Sequence, residues 1–299
     1  MQRIPLLAQL ATTPLLADGA MGTQLMARGL GSGECGMLWN VNRRPDVAAV
    51  HEAYHRAGSH LITTNSFGGS RYVLERHGLT ARGVELNRAA AAIARKVLGE
   101  TGWVLGDVGP VGDFLEPVGD VSAEDLRAAF RDQIAALIEG GADAILVETM
   151  SDPAEAVVGV EAARECSAKI PVVVTYAFQK TAANEFRTMM GTTVAEAVER
   201  SVKAGADIIG TNCGTDLGLE DYVVLARQLT IAAGRTPVIV QPNGGTPRIE
   251  NGRTVYDASP EQMAALASKL ISAGASIVGG CCGTTPEHLA AMSRAVKQG

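Results

Sequence analysis

The sequence predicts a (β/α)8 barrel of the TIM type, formed by a single domain that spans residues 1–299. Four helix-like stretches end in a glycine, at Gly58, Gly141, Gly205 and Gly274. After each glycine come a small residue and a short apolar run. Glycine just past a helix end adopts the left-handed cap conformation at low cost, so each phrase marks a helix-to-strand joint. The apolar runs PLLADG, WVLGDVG, PVVVTYAF and PVIVQPNG bring the candidate strands to eight. Short continuous runs of this kind are typical of strands buried on both faces.

Stretches rich in Ala, Leu, Arg and Glu separate these runs and predict the intervening helices. They cover about 81–98, 123–139, 153–167, 193–204, 219–233, 260–273 and 286–297. Start signals accompany three of them, with Ser122, Ser151 and Ser259 close to the predicted first turns. An open doubly wound sheet is the alternative, but it rarely uses eight regular units. Its first strand usually leads into a GxGxxG loop, whereas DGAMGTQ follows here.

Composition and charge argue against several classes of protein. The net charge is -6 and no basic run occurs, so nothing indicates binding to nucleic acid or to an anionic membrane. The N-terminal residues lack the pattern of a signal peptide, and no apolar run reaches the ~18 residues needed to cross a bilayer. Five cysteines without a signal peptide indicate a reducing compartment. We therefore expect a cytoplasmic protein.

Polar residues end most of the predicted strands. The active site of a (β/α)8 barrel lies at the C-terminal ends of its strands, so these residues predict one shared pocket. They are Asp18, Thr64, Asn65, Asp107, Glu148, Tyr176, Asn212, Cys213, Gln241, Asn243, Cys281 and Cys282.

Three of the five cysteines lie at the ends of two predicted strands, Cys213 in GTNCG and the pair Cys281 and Cys282 in GGCCG. A disulfide between the neighbours is disfavoured, because consecutive α-carbons lie ~3.8 Å apart and relaxed bridges need at least ~4.4 Å. Small buried thiols are the alternative interpretation. Three thiols among glycines, which let the backbone approach a metal, favour a metal site instead. Cys35 and Cys166 lack this context.

Three thiolates suit zinc, and three protein ligands with one open position are typical of a catalytic zinc site. Asn243 or Gln241 could fill that position weakly when no substrate is bound. Coordination removes the proton of a substrate thiol, whose free pKa is ~8.5. A zinc ion surrounded by thiolates carries excess negative charge, which keeps the bound sulfur nucleophilic. The pattern therefore indicates alkylation of a thiol rather than hydrolysis.

Four segments, GGCCGTTPEH, GTNCG, DGAMGTQ and TTNSFGG, together resemble the homocysteine S-methyltransferase family. The resemblance runs from Leu15 to about Ala295. It is strongest to the homocysteine-binding barrel of cobalamin-dependent methionine synthase, through VLGDVGP, ILVETMSD and ENGRTVY. The resemblance implies a zinc ion held by Cys213, Cys281 and Cys282, and homocysteine as the methyl acceptor.

The resemblance also implies that Asp18 and Glu148 hold the amino acid part of homocysteine. A zwitterion needs an anion that faces its ammonium and N–H donors that face its carboxylate. Alternative interpretations are a turn or helix cap for Asp18 and a structural salt bridge for Glu148. No catalytic residue is expected beyond the zinc-activated substrate thiolate. The residues expected at the substrate are Asp18, Gly19, Ala20, Met21, Thr64, Asn65 and Glu148, of which Thr64 and Asn65 could instead brace the site.

Differences between this sequence and other members of the family predict the methyl donor. Betaine enzymes of the family have a C-terminal extension and a tyrosine after the strand-four glutamate. Here the chain ends seventeen residues after Cys282, and Thr149 follows Glu148. Aromatic residues, which a quaternary ammonium donor prefers, make up 4% of the chain. Because no corrinoid-binding DxHxxG segment occurs, methylcobalamin is expected to arrive on a separate corrinoid protein.

Three alternatives remain open at this point. The first keeps homocysteine but uses a small onium donor, betaine or S-methylmethionine. The second is a non-catalytic subunit that binds zinc or thiols. The third is a Schiff-base barrel enzyme, for which Lys180 is the only candidate.

Overall fold

The structure, a computed structural model, describes residues 4–250 and 253–298 and contains the predicted barrel. In chain order the strands are β1 (Leu15–Leu16), β2 (Leu61–Thr63), β3 (Trp103–Val108), β4 (Ala144–Met150), β5 (Val172–Tyr176), β6 (Phe178–Lys180), β7 (Phe186–Thr188), β8 (Ile208–Asn212), β9 (Val238–Gln241), β10 (Arg248–Glu250), β11 (Arg253–Val255) and β12 (Ile277–Val278).

Eight of these strands form one parallel sheet in the order β1-β12-β9-β8-β5-β4-β3-β2. The two ends of this order meet, since a parallel bridge joins Ala17 to Leu61 and the N–H of His60 donates to the carbonyl of Leu16 at 2.7 Å. The (β/α)8 prediction is therefore confirmed. Two antiparallel hairpins, β6–β7 and β10–β11, project from the loops after β5 and β9. The sequence did not reveal them, because three-residue strands offer too little alternation to recognise.

Helices cover the outside of the barrel, and the seven predicted ones occur with almost the predicted bounds. Ser122, Thr193 and Ser259 accept backbone N–H groups at the starts of the helices that begin at residues 123, 194 and 260. Asp152, not Ser151, is the N-cap of the helix that begins at Pro153, because its carboxylate accepts the N–H of Ala154 at 2.8 Å. The helices are α1 (Leu6–Leu10), α2 (Gly22–Ala27), α3 (Trp39–Asn42), α4 (Arg44–Ala57), α5 (Arg71–Glu75), α6 (Gly83–Leu98), α7 (Ala123–Glu139), α8 (Pro153–Cys166), α9 (Val194–Ala204), α10 (Leu219–Ala233), α11 (Pro260–Ser272) and α12 (Pro286–Gln298). In the part of the chain that the structure describes, no helix combines the length and apolar character needed to cross a membrane.

The inside of the barrel is filled by a compact apolar cluster, which we call the barrel floor. Its residues include Leu61, Leu105, Leu146, Val173, Ile208, Ile239 and Ile277, all fully buried. Side chains of a strand alternate between its two faces, so the residue two positions further points the same way. Asp107, Glu148 and Gln241 follow Leu105, Leu146 and Ile239 at this spacing. A polar layer therefore lies above the barrel floor, toward the C-terminal ends of the strands.

Candidate metal centre and active site

The three cysteines of the predicted metal site lie together at the mouth of the barrel. Cys213 directly follows β8, and Cys281 and Cys282 follow β12. The Sγ atoms all lie within 4.8 Å of one another, with 3.6 Å between Cys213 and Cys282 and 4.0 Å between Cys281 and Cys282. Tetrahedral zinc with Zn–S bonds of ~2.3 Å separates its sulfur ligands by about 3.8 Å. None of the three forms a disulfide, so the donor set fits zinc in both chemistry and spacing.

Unusual backbone conformations bring the sulfurs together. Cys213 has a φ of 47°, in the left-handed region that residues with a Cβ rarely adopt. The N–H of Gly214 donates to the Tyr222 hydroxyl at 3.1 Å and holds this turn. Gly283, after the cysteine pair, has a φ of 77°, and a Cβ built there would lie 2.1 Å from Cγ of Tyr256. Glycine is therefore required where the chain turns beneath the Tyr256 ring.

The sulfur cluster has an electrostatic preference for a cation. Hydrogen bonds from Cys213 and Cys281 lower the pKa of the Cys282 thiol to about 3, although burial opposes this. Hydrogen bonds to its two neighbours, together with burial, raise the pKa of Cys281. One sulfur thus carries negative charge near neutral pH, stabilised by two thiols that a metal would deprotonate.

Asn243 and Gln241, the predicted weak resting ligands, both offer a buried amide oxygen. Neither Oδ1 of Asn243 nor Oε1 of Gln241 has a hydrogen-bond partner among the described residues. The Nδ2 group of Asn243 donates to the carbonyl of Gly214, next to Cys213, at 3.4 Å. A buried amide oxygen normally has a partner, so both oxygens are available to a metal or to a ligand.

Asp18, which is buried, and Glu148, which is partly buried, are the predicted ammonium ligands, and their carboxyls interact electrostatically. Asp18 is 2% exposed, and its two oxygens accept the N–H and the hydroxyl of Thr63 at 2.9 and 2.8 Å. Burial raises the pKa of Asp18 to about 7 despite these bonds. Burial, and then the charges of Asp18 and Cys282, raise the pKa of Glu148 to about 8. Negative charge in this pocket is therefore costly until a cation enters.

Asp107 is a third carboxyl in this pocket, to which the sequence analysis assigned no role. It is 3% exposed, and its pKa is raised well above the ordinary value by burial and then by the charges of Glu148 and Asp18. The signal available in the sequence was an aspartate that interrupts the otherwise apolar run WVLGDVG.

Asn212 links the sulfurs to the carboxyls, and the sequence did not reveal this role. Its Nδ2 group donates to Thr149 Oγ1 at 2.6 Å and lies 3.7 Å from Sγ of Cys281. Its Oδ1 accepts the N–H of Thr149 at 3.1 Å. Thr149 directly follows Glu148 and has a φ of 61°, so Asn212 holds a strained turn beside that carboxyl.

The DGAM segment passes beside the cysteine loop. A Cβ at Gly19 would lie 2.5 Å from Oγ1 of Thr284 and 2.9 Å from the Tyr54 ring, so only glycine fits there. The N–H of Ala20 donates to Thr284 Oγ1 at 3.1 Å. Met21 packs, partly buried, against the core. Contact of these residues with a substrate carboxylate remains a prediction.

Thr64 and Asn65 have clear partners within the protein. The Thr64 hydroxyl lies 2.6 Å from the Ser66 hydroxyl and accepts the N–H of Asp107 at 2.9 Å. The Asn65 Nδ2 group donates to the carbonyl of Gly36 and to Oδ1 of Asn40, each at 2.9 Å. Both side chains brace the loops around the pocket, and their direct contact with a substrate stays a prediction.

The remaining candidates lie elsewhere. Cys35 packs among Met37, Leu74 and Leu86, and Cys166 ends the outer helix α8. Lys180, the only candidate for a Schiff base, pairs with Asp221 at 2.8 Å on the β6–β7 hairpin.

Residues 15–296 match the family model of homocysteine S-methyltransferases. The chain belongs to this family. It is 33% identical to the methionine synthases of Mycobacterium tuberculosis and Mycobacterium leprae over 308 residues, which cover 97% of this chain and 25% of each relative. The chain thus spans about a quarter of the length of these relatives.

Solved structures agree with this assignment. The metallated form of the homocysteine methyltransferase MmuM from Escherichia coli superposes with a TM-score of 0.78 at 26% identity, covering 97% of this chain and 99% of that one. A methyltransferase from Methanosarcina mazei, at 13% identity and a TM-score of 0.61, shares the fold. The predicted family, that of the homocysteine S-methyltransferases, is confirmed.

Proposed function

We propose that this protein catalyses zinc-dependent transfer of a methyl group to the sulfur of homocysteine, which forms methionine. One observation carries the proposal: three sulfurs spaced as zinc ligands lie at the same barrel mouth as a group of buried and partly buried carboxyls. The first group suits a soft metal and a thiol, and the second suits an ammonium. Homocysteine has both a thiol and an ammonium.

Cys213, Cys281 and Cys282 would hold the zinc ion, and Asn243 would be its weak ligand in the absence of substrate. Zinc bound there would supply a thiolate form of homocysteine at neutral pH. Two tyrosines pack around the cysteine loops: the Tyr256 ring covers Gly283, and the Tyr222 hydroxyl accepts the N–H of Gly214.

Asp18 and Glu148 would face the substrate ammonium, and the backbone near Gly19 to Met21 would face its carboxylate. These contacts fix the acceptor at both ends of its amino acid part, so that its sulfur points toward the cysteines. The new S–C bond forms as the bond between the methyl group and the donor breaks, and the electron pair of that bond stays with the donor. Orientation of this kind lowers the barrier because the reacting atoms must approach in line at ~3–3.5 Å.

The donor we propose is methylcobalamin carried by a separate corrinoid protein. Support comes from the likeness of nearly the whole chain to methionine synthases. The mouth also presents exposed apolar side chains, Phe67 after β2, Phe114 after β3 and Met189 after β7, that a docking protein could cover. A small onium donor, betaine or S-methylmethionine, is the second candidate, favoured by Tyr256 beside Cys282 as an aromatic face near the sulfurs.

We further propose that the protein works in the cytoplasm and that residues 1–299 act as one homocysteine-binding domain. A reducing compartment keeps the three site cysteines available to a metal.

A methyl-transfer assay tests the proposed function. Zinc-loaded protein is incubated with homocysteine and with methylcobalamin, betaine or S-methylmethionine, and methionine is quantified. We expect methionine from methylcobalamin, free at high concentration or protein-bound, and much less from betaine. Rapid saturable turnover with an onium donor and none with methylcobalamin would show that the donor is the onium compound. Homocysteine would remain the proposed acceptor. Tight binding of zinc and homocysteine without turnover from any donor would indicate a non-catalytic subunit.

A further inference from the structure

Thr284 lies between two segments of the barrel mouth. One is the cysteine loop, residues 279–285, and the other is the segment 18–21, whose backbone is proposed to face the carboxylate of the acceptor. Thr284 is fully buried. Its Oγ1 donates to the carbonyl of Cys281 at 2.7 Å and accepts the N–H of Ala20 at 3.1 Å. One hydroxyl therefore uses its donor on the metal side of the mouth and its acceptor on the substrate side.

Two glycines leave the space that this hydroxyl occupies. A Cβ at Gly280 would lie 2.4 Å from Thr284 Oγ1, and a Cβ at Gly19 would lie 2.5 Å from the same atom. Contacts below 3.0 Å essentially never occur for real Cβ atoms, so an alanine at either position would collide with the hydroxyl. Each of the two segments thus carries a glycine that makes room for the same threonine.

Tyr54, on helix α4, bonds the same two segments. Its side chain is fully buried, and its hydroxyl lies 2.9 Å from the carbonyl oxygen of Ala20 and 2.9 Å from that of Thr284. The N–H of Gly280 also donates to the carbonyl of Asp18 at 2.9 Å. The segments are therefore held against each other by a buried network of hydrogen bonds, in which each bond strengthens the others.

These two segments are proposed to bind opposite ends of one small molecule. Cys281 is a proposed ligand of the zinc that would bind the acceptor thiol, and the backbone near Ala20 is proposed to face the acceptor carboxylate. A ligand held at two points gains affinity only where the geometry lets it engage both points at once. Thr284 Oγ1 bonds one residue of each segment, so it fixes the separation on which this gain depends.

We propose that Thr284 is a positioning residue that sets the register of the segment 18–21 against the cysteine loop, so that one acceptor molecule reaches both. The proposal rests on the proposed function, since it takes zinc and homocysteine as the ligands. Thr284 acts through Cys281 and Ala20 and needs no contact with the acceptor. Loss of its hydroxyl should therefore weaken a ligand held at both ends and spare a ligand held at one end.

The test compares three ligands by isothermal titration into the zinc-loaded protein. L-homocysteine carries the thiol and the amino acid part, L-norvaline has a methyl group in place of the thiol, and propane-1-thiol lacks the amino acid part. Thr284→Val keeps the branched shape but removes the hydroxyl, whereas Thr284→Ser keeps the hydroxyl. Thr230→Val is the matched control, because the Thr230 hydroxyl donates to the carbonyl of Ala273 at 3.1 Å on the outer helix α10.

We expect Thr284→Val to weaken homocysteine binding about fivefold, as for the loss of one hydrogen bond, and to change the other two affinities by less than about twofold. Thr284→Ser and Thr230→Val should bind all three ligands like the wild type. Zinc content and thermal unfolding confirm that each variant is folded. Tyr54→Phe, which removes the hydroxyl between the same two segments, replaces Thr284→Val if that variant is unfolded and should show the same selective loss.

Equal weakening of all three ligands by Thr284→Val would overturn the proposal in favour of a general structural role, as would unchanged binding of homocysteine. An equal loss of homocysteine affinity in Thr284→Ser would overturn it as well, because the shape rather than the hydroxyl would then matter. These results leave the proposed function intact, because the wild-type protein still binds homocysteine. A wild type that binds neither zinc nor homocysteine would overturn the proposed function and this inference together.

Discussion

The barrel mouth has two halves that are built by different means. The sulfur half, Cys213, Cys281 and Cys282, is shaped by backbone conformation, with a left-handed cysteine and a cysteine pair followed by a left-handed glycine. The carboxyl half, Asp18, Asp107 and Glu148, lies at strand ends, and its distinctive property is that like charges lie near one another in a largely buried place. The sulfur half is therefore prepared for its ligand by backbone geometry, and the carboxyl half by unfavourable electrostatics that a bound cation would relieve.

The largest expected effect is on the sulfur half. Cys213→Ser, Cys281→Ser and Cys282→Ser should each lose most of the bound zinc and nearly all methyl transfer, because a site of three thiolates has no spare ligand. Metal content after purification under reducing conditions gives the readout. Cys35→Ser and Cys166→Ser should keep full zinc. A Cys213 variant with normal zinc and activity would disprove the three-thiolate site.

Substitutions in the carboxyl half should separate substrate binding from metal binding. Glu148→Gln and Asp18→Asn should each weaken homocysteine binding by roughly ten- to a hundredfold, equivalent to ~1.5–3 kcal/mol, with zinc retained. Titration of the zinc-loaded variants measures this. Glu155→Gln is the control, since it neutralises a buried carboxyl that bonds the N–H of Val111 and none of the site residues. Unchanged homocysteine affinity in both site variants would show that the amino acid part of homocysteine binds elsewhere.

The pH dependence of binding isolates the electrostatic half. Burial raises the pKa of Asp18 to about 7 and that of Glu148 to about 8, so both hold protons at pH 6 and become ionised as the pH rises. Only the ionised forms attract an ammonium. Affinity for L-methionine, which has no thiol proton to lose, should therefore rise by about tenfold between pH 6 and pH 8.

Glu148→Gln should flatten the upper part of this pH profile. An affinity for methionine that falls over the same interval would show that these carboxyls do not face the ammonium.

A smaller effect on binding is expected for Asn212, which lies between the sulfur half and the carboxyl half. Asn212→Ala removes the N–H that approaches Cys281 and the bonds that hold Thr149. The affinities for zinc and for homocysteine should therefore each fall about fivefold, equivalent to ~1 kcal/mol. Competition with a metal chelator and titration with homocysteine measure the two. Asn65→Ala, which also removes a bracing amide but one bonded to Gly36 and Asn40, should leave zinc affinity unchanged.

Sequence reasoning identified what depends on residue type and local spacing. Glycine after four of the helices and continuous apolar runs revealed the barrel strands, and three cysteines among glycines revealed the metal site. It missed features that depend on pairs distant in the chain. Thr149 and Asn212 are 63 residues apart, and nothing local to either shows that they bond. Asp107 was visible as a strand-end aspartate, but only the structure shows that its Oδ1 is buried and has no hydrogen-bond partner among the described residues.

The bond pair between Asn212 and Thr149 has a thermodynamic consequence. The Asn212 amide bonds the turn that follows Glu148 and also approaches Cys281, so we expect binding at one end to affect the other. Any coupling of this kind is reciprocal: if zinc raises the affinity for the amino acid, the amino acid raises the affinity for zinc by the same factor. A cell that accumulates homocysteine would then protect this protein from metal loss at the moment the metal is needed.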